Sequence, residues 1–402
     1  MSKILEITDL LRKDKNLVDL FTYNSMTKDV EFRKKPPWVA DKKLNENDLI
    51  QLKYYLAYTH NAEYSKQLLE EGVVVIAQER PYHPLLNYLD KLKWDGAERL
   101  DYWLIKICGA VDNVYTREAG RKTICGAIKR AYEPGCKFDY MLLLEGEQGI
   151  GKSTLINILA GQWYLDTSLN TNEDKKEIVD QMRTAWIIEI SDLAGFRKSD
   201  VEHLKHFLSD QSDRVRMPYA HRAEDFPRQC IFIGTHNPSG NNEYFKDDTG
   251  NRRFWPVECT RIDLGLMREW RDQLFAEAIV RYKAGEEIYI SNKESLAVLS
   301  DLHESREVVT PLNEMIDEYI VDKNFVNARE VIRLVFGLDP GRMTFTELRS
   351  KCTVIGIYMK KLRWVHGKNK KRGWYFRPGH EYDDITSVAG ELFKKDEGWS
   401  DG

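Results

Sequence analysis

A glycine-rich run near the middle of the chain decides its fold: Gly146-Glu147-Gln148-Gly149-Ile150-Gly151-Lys152-Ser153. It matches G-x-x-x-x-G-K-[ST], the pattern of a phosphate-binding loop. Residues 140–144 before it predict a buried strand, and residues 154–160 after it predict a helix that ends at Gly161. This order aims backbone N–H groups and a helix N-terminus at a phosphate. We expect the residues from Gly146 to Thr154 to bind a nucleoside triphosphate, with Lys152 at the β- and γ-phosphates and Ser153 on Mg²⁺.

Short apolar strands alternate with helices from residue 138 onward, which predicts an α/β fold. The strands are expected over residues 140–144, 185–191, 229–235 and 254–257, and a helix over residues 266–283. In a parallel sheet the carboxyl ends of the strands meet at the edge where ligands bind. Polar residues at those ends are therefore the candidates for chemistry.

Two acids stand at the carboxyl end of the second expected strand, Glu189 and Asp192. Glu189 alternates with apolar neighbours, and a carboxylate in an apolar strand is costly unless it has a partner such as a cation. We expect both acids to act in magnesium coordination and in activation of the attacking water, without a division of the two roles. The alternative for Asp192 is that it caps the following turn.

Polar side chains also flank the remaining two strands. Asn237 follows the strand over residues 229–235, where its amide would orient the attacking water, although Asn-Pro also occurs as a simple turn. Arg252 and Arg253 precede the last strand and suit the γ-phosphate bound by a neighbouring subunit, as arginine fingers. Ordinary salt bridging is the alternative for at least one of the two arginines.

Composition and cysteine usage limit the class of protein. The 402 residues are 42% hydrophobic and 31% charged, and the longest apolar runs are too short to span a bilayer. The N-terminus lacks a secretory pattern, and the six cysteines are scattered without a C-x-x-C pair. We expect a cytoplasmic protein without membrane contact, with buried thiols and no metal besides Mg²⁺.

The C-terminal part of the chain has a strongly uneven charge. Residues 351–380 contain nine Lys or Arg and no acid, whereas the tail over residues 381–402 is acidic. Two short helices, over residues 344–349 and 355–362, precede two strands joined by a basic turn, which is the winged-helix pattern. We expect the turn to contact duplex DNA phosphates through four cations: Lys368, Lys370, Lys371 and Arg372. A solvated charged face, or a winged helix used for protein contacts, is the alternative.

These patterns divide the chain into five segments. They are an N-terminal module over residues 1–80, a helical region over 81–137, a P-loop ATPase core over 138–290, a helical and winged-helix DNA-binding module over 291–380, and an acidic tail over 381–402. Residues 1–80 give no indication of their role.

Several strings between about residues 80 and 285 occur together. Besides the phosphate loop they cover residues 83–89, 94–100, 186–193, 234–237, 251–257 and 271–278. In combination they resemble the virulence-associated protein E family of prophages and phage-inducible chromosomal islands, and more broadly the superfamily 3 helicases of the AAA+ class. The resemblance implies an AAA+ core that assembles as a homo-oligomeric ring, usually a hexamer, around a single DNA strand.

The resemblance also implies a hairpin that projects into the channel of the ring. It maps onto residues 205–226, with Tyr219, His221 and Arg222 near the tip. The tip contains His and Arg where the commoner form of the family motif is rich in Lys.

We therefore expect an ATP- and Mg²⁺-dependent DNA helicase or translocase that serves replication of a phage or mobile genetic element in a bacterial host. One alternative is an ATP-regulated initiator that binds origin DNA without processive unwinding. Another is an NTP-binding regulator or antiphage effector with little DNA activity. A joined primase lacks support, because no zinc-binding Cys cluster and no acidic polymerase triad is apparent.

Overall fold

The structure, a computed structural model, describes residues 2–167, 175–191, 198–216, 222–237, 250–306, 311–367 and 373–381. It divides into two units, Met1–Glu307 and Val308–Gly402. No helix in these described ranges is long and apolar enough to cross a membrane.

The N-terminal residues of the first unit fold around their own small core. The elements are α1 (Lys3–Lys13), β1 (Phe21–Asn24), β2 (Asp29–Phe32), α2 (Glu46–His60), α3 (Lys66–Gln78) and β3 (Pro81–Tyr82). Strands β1 and β2 form a hairpin, and β3 joins β1 in parallel. Leu11, Phe21, Leu52 and Val73 are fully buried in this core.

Three helices lead from this small core into a larger α/β layer. They are α4 (Pro84–Leu89), α5 (Trp103–Cys108) and α6 (Val114–Tyr132). The next elements are β4 (Met141–Glu145), α7 (Lys152–Ala160), β5 (Tyr164–Thr167), α8 (Lys175–Met182), β6 (Ile187–Ile190) and α9 (Lys198–Ser209). The unit is completed by β7 (Ser212–Val215), β8 (Glu224–Pro227), β9 (Ile231–His236), β10 (Phe254–Glu258), α10 (Leu264–Lys283) and α11 (Lys293–Ser305).

The central sheet has five strands in the order β10-β4-β9-β6-β5, and every neighbouring pair is parallel. The α/β class with a parallel sheet, predicted from the sequence, is therefore confirmed. Trp186, Trp255 and Phe275 fill the core on one side of the sheet, where α6, α7 and α10 pack. Helix α11 contacts α6 and β10, so it belongs to this first unit, whereas the sequence grouped residues from 291 onward with the C-terminal module.

The second unit has its own core and a three-stranded antiparallel sheet. Its elements are α12 (Pro311–Ile320), β11 (Phe325–Asn327), α13 (Ala328–Leu334), α14 (Phe345–Lys361), β12 (Val365–His366) and β13 (Trp374–Phe376), with the sheet in the order β11-β13-β12. The prediction of two short helices over residues 344–349 and 355–362 is wrong, because this stretch forms the single helix α14. Gly356 lies inside α14 without breaking it, and a β-carbon there would lie 2.7 Å from the Tyr375 hydroxyl. The glycine thus serves close packing rather than a turn.

Candidate functional site

The phosphate-binding pattern forms a tight loop between β4 and α7. Gly151, directly before α7, has φ +104°, a conformation that side-chain-bearing residues rarely adopt. A β-carbon on Gly146 would lie 2.5 Å from the Cys259 carbonyl oxygen. The Gly146 N–H donates to the His236 carbonyl oxygen at 3.2 Å, which ties the loop to the end of β9. The glycines of the pattern are thus required by the backbone path.

Lys152 opens α7 and turns its ammonium back over this loop. Its Nζ donates to the carbonyl oxygens of Gly146 at 2.7 Å and Glu147 at 2.8 Å, and to Oδ1 of Asn237 at 2.8 Å. Removal from water lowers the pKa of Lys152. The cation is thus held by neutral oxygens, and a phosphate oxygen would be a stronger acceptor.

Ser153, the next residue, donates from Oγ to Oε1 of Glu189 at 2.7 Å. Oε1 also accepts from Thr235 Oγ1 at 2.9 Å, and Oε2 accepts from the Tyr164 hydroxyl at 2.6 Å. The Glu189 side chain is 0% exposed, so these three hydroxyl groups stand in for water around a buried carboxylate. The structure therefore brings Lys152, Ser153, Glu189 and Asn237 to one edge of the sheet.

Strand register explains why these residues meet. Leu144, the penultimate residue of β4, pairs with Thr235 of β9, and Glu189 of β6 pairs with Ile233 of the same strand. Strand β9 therefore lies between the phosphate-loop strand and the acidic strand. Asp192 follows β6 but lies outside the described residues.

Arg252 and Arg253 lie at the opposite edge of the sheet from the phosphate loop. They precede β10, whose first residue, Phe254, pairs with Met141 at the start of β4. The five residues of β4 separate the two edges by about 15 Å. Arg253 is engaged locally, with Nε 3.0 Å from Ser209 Oγ and 3.6 Å from an Asp139 carboxylate oxygen, whereas Arg252 is exposed. Neither arginine is placed to contact a nucleotide bound at the phosphate loop of the same subunit.

A family model for the virulence-associated protein E-like domain matches residues 89–308, which is more than half of the chain. The chain belongs to the virulence-associated protein E-like family. The family resemblance expected from the sequence is confirmed at this level.

The fold of this virulence-associated protein E-like chain is similar to that of solved structures. The apo structure of the NrS-1 C-terminal region gives a TM-score of 0.50 at 12% identity, over 87% of this chain and 94% of that chain. An A-form apo structure of that region gives 0.48 at 12% identity, over 82% and 90%. At this identity the likeness concerns the fold alone. No curated protein matches the chain significantly.

One string of the virulence-associated protein E-like resemblance has a structural role. The backbone N–H groups of Arg99 and Leu100 donate to Oε2 of Glu277 on α10, at 2.6 and 3.1 Å. Two hydrogen bonds from the Arg99 guanidinium, each 2.8 Å, lower the pKa of Asp95 to about 2. Residues 94–100 therefore fasten the segment before α5 to α10, away from the phosphate loop.

The hairpin expected between the acidic strand and the Asn strand is present as β7 and β8, paired antiparallel. Arg222 is exposed near its tip, while Tyr219 and His221 lie outside the described residues. A buried ion pair between Asp213 and Arg228, at 2.6 Å, closes the base of the hairpin. The N-terminal module also contacts β8, which no sequence pattern indicated. Lys28 Nζ donates to the Asp225 carbonyl oxygen at 2.9 Å and lies 4.5 Å from the Phe226 ring centre.

In the second unit, the basic stretch predicted as a turn falls between β12 and β13 in the sequence. Lys368, Lys370, Lys371 and Arg372 lie outside the described residues. On either side of them, the Gly367 N–H donates to the Trp374 carbonyl oxygen at 2.8 Å, so the two strands form the expected hairpin.

Sequence reasoning missed four residues near the phosphate loop. Tyr164 and Thr235 are the additional donors to Glu189; no local pattern marks Tyr164, and the string over residues 234–237 does not indicate that Thr235 contacts Glu189. Glu145, the last residue of β4, is fully buried and accepts from Arg306 Nε at 2.7 and 2.9 Å. An acid within an apolar strand was a usable signal for a buried partner, as it was for Glu189, but nothing local identified Arg306.

Proposed function

We propose that the protein is an ATP- and Mg²⁺-dependent DNA helicase or translocase of the AAA+ class that works as a ring and serves replication of a phage or mobile genetic element. One observation carries the proposal. The loop residues Lys152 and Ser153 meet Asn237 and Glu189 at the carboxyl edge of a parallel sheet. This is the set of groups that phosphoryl transfer to water requires, namely a phosphate cradle, a cation, a metal site and a polar group for water.

The donor set around Ser153 fits Mg²⁺. Magnesium takes oxygen ligands and is usually held by one or two carboxylates together with substrate phosphates. Ser153 and Glu189 supply a hydroxyl and a carboxylate side by side, and no cluster of three or more His, Cys, Asp or Glu that would make a different metal site occurs among the described residues. Asp192 is proposed as a further acid of the site. Magnesium would neutralise charge on the phosphates.

The remaining residues have distinct roles in the proposed hydrolysis. The Lys152 ammonium exchanges its carbonyl partners for β- and γ-phosphate oxygens. Asn237, which lies against that ammonium, orients the attacking water. Arg252 reaches the γ-phosphate on the next subunit, since the phosphate loop of its own subunit lies at the opposite end of the strands. Hydrolysis at a subunit interface then moves the β7–β8 hairpin in the channel of a ring.

DNA binding is supported by the second unit. The order of a helix, a strand, two helices and two paired strands supports a winged helix, in which α14 would be the groove-binding helix. The cations of the turn suit duplex phosphates, while Tyr219, His221 and Arg222 suit a single strand in the channel. Membership of the virulence-associated protein E-like family supports a role in mobile-element replication.

ATP hydrolysis with and without DNA, together with unwinding of a forked duplex, tests the proposal. The wild-type protein should hydrolyse ATP faster with DNA and displace the strand, and Lys152→Ala should abolish both activities while retaining the fold. Tight duplex binding and ATP hydrolysis without strand displacement would favour the origin-binding initiator. A rate of ATP hydrolysis that does not change when DNA is added would favour an NTP-binding regulator.

A further inference from the structure

Tyr164 begins the edge strand β5, next to the acidic strand β6. Tyr164 pairs in register with Ile187, and Asp166 pairs with Glu189. The half-buried Tyr164 ring therefore runs along β6, and its hydroxyl lies 2.6 Å from Oε2 of Glu189. This hydrogen bond connects the outermost strand, β5, to the candidate metal site.

The hydrogen bonds to Glu189 are divided between its two oxygens. Ser153 and Thr235 both donate to Oε1, and Tyr164 donates to Oε2. The terminal torsion of a glutamate is broad, so a carboxylate held through one oxygen can still rotate. Donors on both oxygens fix the plane of the group.

We propose that Tyr164 is a positioning residue that holds Oε2 of Glu189 and thereby keeps Oε1 beside Ser153, ready for Mg²⁺. The inference rests on the proposed function and adds a residue to it. A tyrosine hydroxyl keeps its proton at neutral pH and therefore remains a donor.

If Tyr164 positions Glu189, removal of its hydroxyl should weaken Mg²⁺ binding specifically. In Tyr164→Phe the ring still fills its place, but the Glu189 carboxylate loses one of its three donors and rotates more freely. Binding of Mg²⁺ should weaken, because magnesium demands near-ideal geometry. Nucleotide binding without metal should be unchanged, since the loop and Lys152 are untouched.

A matched control is available on α6. Tyr132 also donates its hydroxyl to a carboxylate oxygen at 2.6 Å, that of Asp90, outside the candidate site. Tyr132→Phe therefore removes the same type of hydrogen bond without touching Glu189. Thermal melting of both variants establishes that each is folded.

Two measurements test the role of Tyr164. The first is the Mg²⁺ concentration for half-maximal ATP hydrolysis, and the second is Mn²⁺ binding by electron paramagnetic resonance with a non-hydrolysable ATP analogue. Tyr164→Phe should raise both midpoints about fivefold to tenfold, with turnover near wild type at saturating metal, whereas Tyr132→Phe should match wild type.

The outcomes separate this inference from the proposed function. A Tyr164→Phe protein with wild-type metal midpoints, or one with lower turnover and unchanged midpoints, overturns the positioning role while ATP hydrolysis by the wild type stands. If the wild type neither hydrolyses ATP nor binds Mn²⁺ with the analogue, the proposed function itself fails.

Discussion

Oδ1 of Asn237 accepts a hydrogen bond of 2.8 Å from Nζ of Lys152, a residue 85 positions earlier in the chain. The contact exists because β9, which delivers Asn237, is the direct parallel neighbour of β4, which leads into the phosphate loop. The ammonium of a phosphate-loop lysine reaches the β- and γ-phosphates. The contact therefore places Asn237 beside the ammonium that is proposed to bind these phosphates.

Asn237→Ala should slow ATP hydrolysis about 100-fold, because one polar group that acts on the reacting atoms is lost. Affinity for a non-hydrolysable analogue should stay near wild type, since Lys152 and the loop remain. Single-turnover rates and equilibrium titration measure the two quantities. Asn16→Ala, a change at an exposed asparagine in the N-terminal module, is the control and should alter neither. Equal losses of affinity and rate would contradict the water-orienting role.

The sequence predicted the phosphate-binding core because each of its elements has a local signal. Apolar runs marked β4, β6, β9 and β10, and the glycine pattern marked the loop. The position of β9 between β4 and β6 had no such signal, because strand order depends on contacts between distant segments. The edge strand β5 was missed, since Tyr164–Thr167 is short and only partly buried. Sequence patterns also did not identify the partners Tyr164, Thr235 and Arg306. Each of these residues contacts its carboxylate from another strand or from a distant helix, and such contacts between distant segments have no local signal.

The two arginines before β10 should behave differently when replaced. Arg253→Ala should lower the melting temperature, because the side chain contacts Ser209 and Asp139. Arg252→Ala should leave melting unchanged and slow ATP hydrolysis by 10³-fold or more, on the order of an arginine-finger loss. Differential scanning fluorimetry and steady-state ATPase rates separate the two effects.

Action of Arg252 on a neighbouring subunit predicts complementation. Mixed rings of Lys152→Ala and Arg252→Ala subunits should regain some ATP hydrolysis, because some interfaces then contain both wild-type halves. Titration of one inactive variant into the other measures this, and native mass spectrometry establishes that the rings mix. Mixed rings without recovered activity would exclude the finger role.

The buried pair of Glu145 and Arg306 should matter for stability. Arg306→Met removes a guanidinium from a carboxylate that is 0% exposed, which should cost about 3 kcal/mol of unfolding free energy. The double variant Glu145→Leu/Arg306→Met removes both charges and should recover much of the loss. Urea unfolding followed by tryptophan fluorescence measures the difference. A double variant no more stable than Arg306→Met would show that the pair is not the source of the effect.

Separate substitutions in the basic turn and at the hairpin tip should distinguish the two proposed DNA contacts. Neutralising Lys368, Lys370, Lys371 and Arg372 should weaken duplex binding and flatten its salt dependence, since each lost phosphate contact lowers the slope by about 0.9. ATP hydrolysis without DNA should stay near wild type, because the turn belongs to the second unit and the phosphate loop to the first. The hairpin variant Tyr219→Ala/His221→Ala/Arg222→Ala should instead spare duplex binding and reduce fork unwinding, because those residues are proposed to grip a strand inside the channel. Binding isotherms at several salt concentrations, with parallel unwinding rates, distinguish the two elements. An unchanged salt slope in the turn variant would mean that the basic block is a solvated surface.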